Sequence, residues 1–422
     1  MKDRKMELEK IKGGGGLEAL FIHSPGSLAA CAQLWFRAGS SLEEKNNLGI
    51  AHFLEHMFFK GTSKRPGSAI AREVESFGGE INAFTSFDYT CYYINTPNTH
   101  LAQSAEILLD MTGDPLFKEE DIIPERGVVL EEFRRSQDHP DQYLFHRIQE
   151  SCFLKGYRHA ILGVEKTIKN FTRDQLIDFR KKYYNLQNAL LIVAGDLTDK
   201  KQYLEVVESC QIPPGPASNF SSFNLKKDSC IEIHEKDVKM SCLTLSIESA
   251  PFNTDDAAAE NLVWSAIGQG ESSRLYQDLV IKNTLANTAG SSSMYMANGG
   301  MHMMRISFPP ENLKKILNEL MILLQKVIEK KIDFKEIKKI SNQFIASKIY
   351  ERETIESYSF YLGHGHAQNG NIHSENEFID RIKNTSLSKV HQSIGVILNR
   401  PIHQGLQVPR QYPLQEAKSH LE

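Results

Sequence analysis

Midway along the chain, QIPPGPASNFSSFN (211–224) concentrates Pro213, Pro214, Gly215 and Pro216, which deny the backbone both a helix interior and an inner strand. A break of that kind makes the chain build two cores rather than one. It divides the 422 residues into halves near a typical domain size. The expected boundaries are 1–210 for the first domain, 211–228 for a linker and 229–422 for the second.

The halves echo one another in the order of their elements. The first opens with strand-like runs at 17–23 (LEALFIH) and 28–38, then an apolar helical segment at 49–59 (GIAHFLEHMFF). A helix at 68–77 is expected to start at an N-cap, Ser68, and stop at Gly78-Gly79, followed by a hairpin of 80–85 and 89–95. Helical patterns cover 100–112, 119–136, 141–153 and 173–183, before a strand at 189–195. The second half repeats strands (230–235, 240–249), helices (255–267, 273–283), a hairpin region (288–308) and a helix (311–329). More helix is expected at 334–361, and little periodicity in the final 20 residues. The expected fold class is α+β: two homologous domains, each a largely antiparallel sheet packed with helices.

Lysine and arginine total 49 against 53 acids, a net charge of −4, so no basic excess would draw a phosphate backbone, and nucleic acid is excluded as a partner. The six cysteines (Cys31, Cys91, Cys152, Cys210, Cys230 and Cys242) are scattered without a C-x-x-C pair, as expected of buried thiols in a reducing compartment. The N-terminal residues carry acids and no apolar core, which argues against a signal or transit peptide. With no run of 18 apolar residues no membrane span is expected, and the expected location is cytoplasmic.

The chemistry centres on His52-Phe53-Leu54-Glu55-His56. On a helix, residues four apart share a face, so both imidazoles reach one ion, with Glu55 beside them. Two histidines and a glutamate in so apolar a segment cost several kcal/mol if buried without partners, and a metal satisfies all three. A catalytic zinc needs a third protein ligand and an open position. That ligand is expected in PERGVVLEEFRRS (124–136), where Pro124 suits an early helical position and Val128, Val129 and Phe133 form an apolar stripe. Glu125, Glu131 and Glu132 compete for the role: Glu125 and Glu132 lie two turns apart on one face, and Glu131 points about 100° away.

GIAHFLEHMFFKGT (49–62), GGEINAFTSFDYTCYY (78–93), ERGVVLEE (125–132) and FRKKYYNLQNALLIVAGDL (179–197) together resemble the pitrilysin/insulinase family of zinc peptidases, the inverzincins. The likeness is nearest to short bacterial members that resemble the mitochondrial processing peptidase β subunit. It runs through the first half and continues more weakly through GQGESSRLYQDL (268–279). The resemblance implies a zinc endopeptidase whose two domains form half of a clamshell, with one zinc per chain on His52, His56 and Glu132. By the same carry-over Glu55 is the general base, Glu125 a supporting acid at the site, and Asn82, Ala83 and Phe84 lie on an edge strand that takes the peptide by β-addition. Zinc acidifies water and polarises the scissile carbonyl, while Glu55 takes the proton and hands it to the leaving amine.

Two departures qualify the likeness. Active members carry in the second domain an arginine and a tyrosine seven residues apart that stabilise the tetrahedral intermediate; the matching stretch, LYQDLVIKNTLANTAG (275–290), has Val280 and Asn287 there. Arg274 and Tyr276 lie upstream at the wrong spacing. The expected arrangement is therefore a heterodimer whose homologous partner lacks H-x-x-E-H and supplies the pair, a homodimer being the alternative. In the second half DDAAAENLVWSAIGQG (255–270), the counterpart of the histidine helix, has no histidine and no metal site is expected. GHGHAQNGNIH (363–373), with His364, His366 and His373, is expected to be a polar helix-terminal loop. The competing functional readings are a non-catalytic assembly subunit like respiratory core proteins and a peptide-binding protein of the same fold.

Overall fold

The computed structural model describes residues 6–220, 223, 225–330 and 332–421. They form two compact units, Met1–Arg134 with His159–Ser221 and Lys348–Glu375, and Arg135–Arg158 with Ser222–Ser347 and Asn376–Glu422. The changeover near 221 falls inside the proline-rich stretch. Two segments nevertheless trade places, because 135–158 clusters with the second unit and 348–375 with the first.

In the first unit β1 (Glu7–Lys12), β2 (Glu18–His23), β3 (Ala29–Phe36), β4 (Glu80–Thr85), β5 (Thr90–Pro97) and β6 (Ala189–Gly195) form one sheet in the order β1-β2-β6-β3-β5-β4. Only β2–β6 is parallel. Strand β6, ALLIVAG, is buried along its whole length, as a central strand covered on both faces must be. On one face Leu20, Trp35 and Ile192 pack with Tyr361 and Leu362 of the Ile355–Asn369 helix. Gly363 lets that helix close on the sheet, since a Cβ there would meet Trp35 Nε1 at 2.3 Å. At the other extreme β4 is an edge strand with no fully buried residue.

The second unit holds β7 (Ile231–Lys236), β8 (Ser241–Ser249), β9 (Thr288–Met296), β10 (Gly299–Phe308) and β11 (His403–Pro409) in the order β7-β11-β8-β10-β9, with β7–β11 the parallel pair. Leu243, Trp264, Ile267, Met304, Phe308 and Leu406 belong to its core.

Several expectations need correction. The final residues are not irregular: they supply β11, inserted between β7 and β8, and a Leu414–Leu421 helix. The helix expected over 334–361 is two, Phe334–Tyr350 and Ile355–Asn369, the second opened by a Thr354–Ser357 capping box. The 273–283 helix reduces to Arg274–Tyr276 followed by a π-helical turn over Gln277–Lys282. Ser68 sits at its N-cap without a side-chain hydrogen bond, whereas Gly78 takes the expected left-handed conformation at φ 75°. Among the described residues no helix is long and apolar enough to cross a membrane.

Candidate metal centre

The Ile50–Phe58 helix buries Ile50, Ala51, Phe53, Leu54, Met57 and Phe58, leaving His52, Glu55 and His56 as its half-buried positions. The i, i+3, i+4 spacing puts those three on one stripe. The helix starts at Gly49, whose φ of 91° is left-handed and whose place beside the Leu162 carbonyl leaves 2.5 Å for a Cβ, so glycine is required. Its first amides are satisfied by a residue the sequence did not point to: Glu43 accepts from Gly49 N–H (2.6 Å) and Ala51 N–H (2.9 Å).

The third donor comes from the Glu119–Asp138 helix, which runs through Pro124. That proline lies beyond the first turn rather than at the start, and Val128 is exposed, so the inward stripe is Val129 with half-buried Phe133. The competition among the glutamates is resolved by position. Glu132 Oε2 lies 3.6 Å from His52 Nε2 and 3.6 Å from His56 Nε2, and the three residues form one converging donor group. Glu125, two turns earlier and buried, takes His56 Nδ1 at 2.7 Å. Glu131 is exposed and faces Arg134.

The electrostatics follow from this packing. Burial, aided by the neighbouring His56, lowers His52 to about 3, so its ring is a neutral donor at physiological pH. Its Nδ1 is buried without a hydrogen-bond partner among the described residues. For His56 burial acts downward, but the Glu125 hydrogen bond and the charges of Glu132, Glu125 and Glu55 outweigh it and raise the pKa. Glu125 is the converse: burial acts upward, and its bonds with His56 and Lys60 bring it below the ordinary range. Burial raises Glu55, partly offset by the Thr85 hydroxyl, which donates to Glu55 Oε2 at 2.5 Å. A separation of 3.6 Å is too long for a hydrogen bond. Glu132 therefore faces both rings without a hydrogen bond to either, and its two separations are close to the edges of a tetrahedral zinc site, about 3.4 Å for N and O ligands at their usual bond lengths. The residues fit a zinc ion.

Thr85 and Lys60, which pairs with Glu125, escaped the sequence reading. Thr85 directly follows Asn82-Ala83-Phe84 and could have been found from the strand, whereas Lys60 carries no signal of its own. Asn82 is exposed on edge strand β4, Ala83 and Phe84 are half-buried there, and Ala83 N–H donates to Asn82 Oδ1 (2.8 Å). Through Thr85 the end of this strand rests on Glu55.

The other flagged residues do not join a centre. His364 and His366 lie on a helix rather than in a terminal loop; His364 pairs with Glu375 (3.2 Å), and burial holds His366 at about 4. His373 is exposed. In the second unit the Asp255–Gly268 helix buries Glu260, which accepts from Arg400 at 2.6 and 2.9 Å, an ion pair in place of metal donors. Val280 packs half-buried against that unit's core and Asn287 is exposed. Arg274 is committed to Glu336 at 2.7 Å.

Residues 19–163 match the family model for insulinase (peptidase family M16), and residues 170–344 match that for the peptidase M16 inactive domain. The chain belongs to the pitrilysin/insulinase family of peptidases. Among its relatives is a Rickettsia felis protein named an uncharacterized zinc protease, 29% identical over 399 residues, spanning 93% of this chain and 95% of that one. The probable mitochondrial-processing peptidase subunit beta of Arabidopsis thaliana is 33% identical over 180 residues, 42% of this chain and 33% of its own length. The crystal structure of a protease from Helicobacter pylori superposes with a TM-score of 0.85 at 25% identity, covering 96% of this chain and all of that one. Two α+β domains, each a mixed sheet packed with helices, are thus the family's fold as well as this chain's.

Proposed function

We propose that the chain is a zinc-dependent endopeptidase acting on extended peptides or unfolded segments, with one zinc held by His52, His56 and Glu132. The observation that carries this reading is the single Glu132 oxygen 3.6 Å from both Nε2 atoms, with Glu55 on the same stripe of helix. The chemistry zinc supplies when bound is Lewis acidity, which acidifies water and polarises a carbonyl oxygen. Glu55 is the general base: it accepts the proton of the attacking water and delivers it to the leaving amine. Thr85 aims its carboxylate, and burial keeps its proton affinity above that of an ordinary glutamate. Glu125 fixes the His56 ring so that Nε2 faces the metal position.

Peptide substrate pairs with the free edge of β4, where Asn82, Ala83 and Phe84 provide backbone contacts, the Phe84 ring itself being packed on Trp35 and Phe360. Because Thr85 of that strand touches Glu55, a peptide registered there carries its scissile bond to the base. The arginine–tyrosine pair that would hold the tetrahedral intermediate is lacking at Val280 and Asn287, so a homologous subunit without H-x-x-E-H supplies it. The likeness to a protein named a processing-peptidase β subunit supports that arrangement.

The test is cleavage of a mixed peptide pool, read by mass spectrometry, by the chain alone and after addition of co-purifying homologous subunits. Chelator-sensitive cleavage by the chain alone would overturn the partner requirement and keep the peptidase. Absence of cleavage in both arms, with zinc bound, would overturn the peptidase.

A further inference from the structure

A second convergence of donors lies wholly inside the second unit and belongs to nothing described above. Cys152 ends the Pro140–Cys152 helix, Cys230 immediately precedes β7, and His403 opens β11. Their donor atoms form a group: Cys152 Sγ lies 3.3 Å from Cys230 Sγ, which lies 3.0 Å from His403 Nδ1. Ser151 Oγ stands 3.6 Å from Cys230 Sγ and 3.8 Å from Cys152 Sγ.

Backbone pairing holds the sulfurs together. The parallel ladder sets Gln404 opposite Ile231, and Gln404 N–H donates to the Cys230 carbonyl at 2.8 Å, locking Cys230 beside His403. On the other side Phe153 bridges Leu225, and Lys226 N–H donates to the Cys152 carbonyl at 2.9 Å.

Two chemistries use such a trio, a metal and a disulfide, and the spacing separates them. Around a tetrahedral zinc with usual bond lengths, sulfur–sulfur edges are about 3.8 Å and sulfur–nitrogen edges about 3.5 Å. Both separations here are about half an ångström shorter than those edges, in contrast to the 3.6 Å spacings of the histidine–glutamate centre. The sulfurs are in mutual contact, closer together than a pair of zinc-bound thiolates. Accessibility is also divided as a two-cysteine redox pair requires: Cys152 is wholly buried, and Cys230 is half-buried.

We propose that Cys152 and Cys230 form a reversible redox site, with Cys230 the attacking sulfur, Cys152 the resolving sulfur and a hydroperoxide the oxidant. The hydrogen bond between the two sulfurs, with the His403 ring and Ser151 hydroxyl, holds Cys230 well below the usual thiol range, while Cys152 is pushed up by the same bond and by burial. The Cys230 thiolate attacks one oxygen of hydrogen peroxide, the O–O bond breaks, and a sulfenic acid and hydroxide result. Cys152 sulfur then attacks Cys230 sulfur, the S–O bond breaks, and the departing hydroxide takes the Cys152 proton as water. Two thiols have become one disulfide, and peroxide, with the two protons that Cys230 and Cys152 released, has become two waters. The bond joins the end of one helix to the start of β7, and a dithiol reverses it.

The experiment treats the full chain with hydrogen peroxide, blocks remaining thiols by alkylation, and maps non-reduced peptides by mass spectrometry. The expected result is a Cys152–Cys230 cross-linked peptide, two hydrogens lighter than its parts and lost on dithiothreitol treatment, while Cys31, Cys91, Cys210 and Cys242 stay alkylated. In Cys152→Ser, Cys230 should instead be trapped as a dimedone adduct. The proposal is overturned if Cys152 and Cys230 alkylate after peroxide as fully as before. It is equally overturned if the chain carries a metal that Cys152→Ser and Cys230→Ser remove and His52→Ala does not.

Discussion

Replacing Glu125 with alanine separates a structural helix charge from a group that sets the metal affinity. Its carboxylate, 5% exposed, accepts from His56 Nδ1 at 2.7 Å, and the substitution leaves that ring nitrogen without its acceptor. A hydrogen bond to a charged group contributes about 1.5–3 kcal/mol. At about 1.4 kcal/mol per factor of ten, zinc binding should weaken roughly 10- to 100-fold, the range expected for a group that orients a ligating histidine. The assay is competition for zinc against a chromophoric chelator, with thermal unfolding in metal-free buffer to establish that the variant is folded. Lys60→Ala is the control, because Lys60 meets the other carboxylate oxygen and leaves the His56 bond in place; its effect should stay within about threefold. A folded Glu125→Ala chain whose zinc affinity matches wild type would refute the reasoning.

Further outcomes concern stability. Burial raises the Glu260 pKa, but hydrogen bonds from His302, Arg400 and Ala250 N–H bring it from 4.5 down to about 2. The ionised form is therefore stabilising above the unfolded value, by about 3 kcal/mol, and that contribution is lost as pH falls from about 4.5 toward 2. Glu260→Gln should flatten the acid limb of urea-unfolding stability, and an unchanged limb would contradict it. Glu43→Ala removes both acceptors at the start of the histidine helix and should cost about 1–2 kcal/mol in thermal unfolding, with zinc affinity falling as the helix frays.

Local pattern made much of the first unit readable. Two β-like runs joined by a short polar turn marked the hairpin at 80–95, and the continuous apolar run ALLIVAG marked a strand, whose burial along its whole length accounts for the unbroken run. The Ile50–Phe58 helix was legible for the opposite reason: three polar positions interrupt a segment otherwise wholly buried. What escaped depends on partners distant in sequence. Strand β1, ELEKIK, is an exposed edge strand and carries no apolar alternation. Strand β11, HQGLQVP, is held in place by parallel pairing with β7 from more than 160 residues away. Glu43 reads as one of two adjacent acids in a polar turn until its carboxylate meets the helix amides. The choice among Glu125, Glu131 and Glu132 shows the boundary well: spacing grouped Glu125 with Glu132, but which of them faces both imidazoles depends on how the Glu119–Asp138 helix is rotated against its neighbour.

The most direct measurement of the central claim is zinc content and peptide cleavage for the wild type and Glu55→Gln, each assayed alone and with the proposed homologous subunit added. The account predicts one zinc per chain in both, with turnover reduced at least about 100-fold in the variant, since the proton acceptor alone is removed. Undiminished cleavage by Glu55→Gln, or loss of zinc with that substitution, would contradict it.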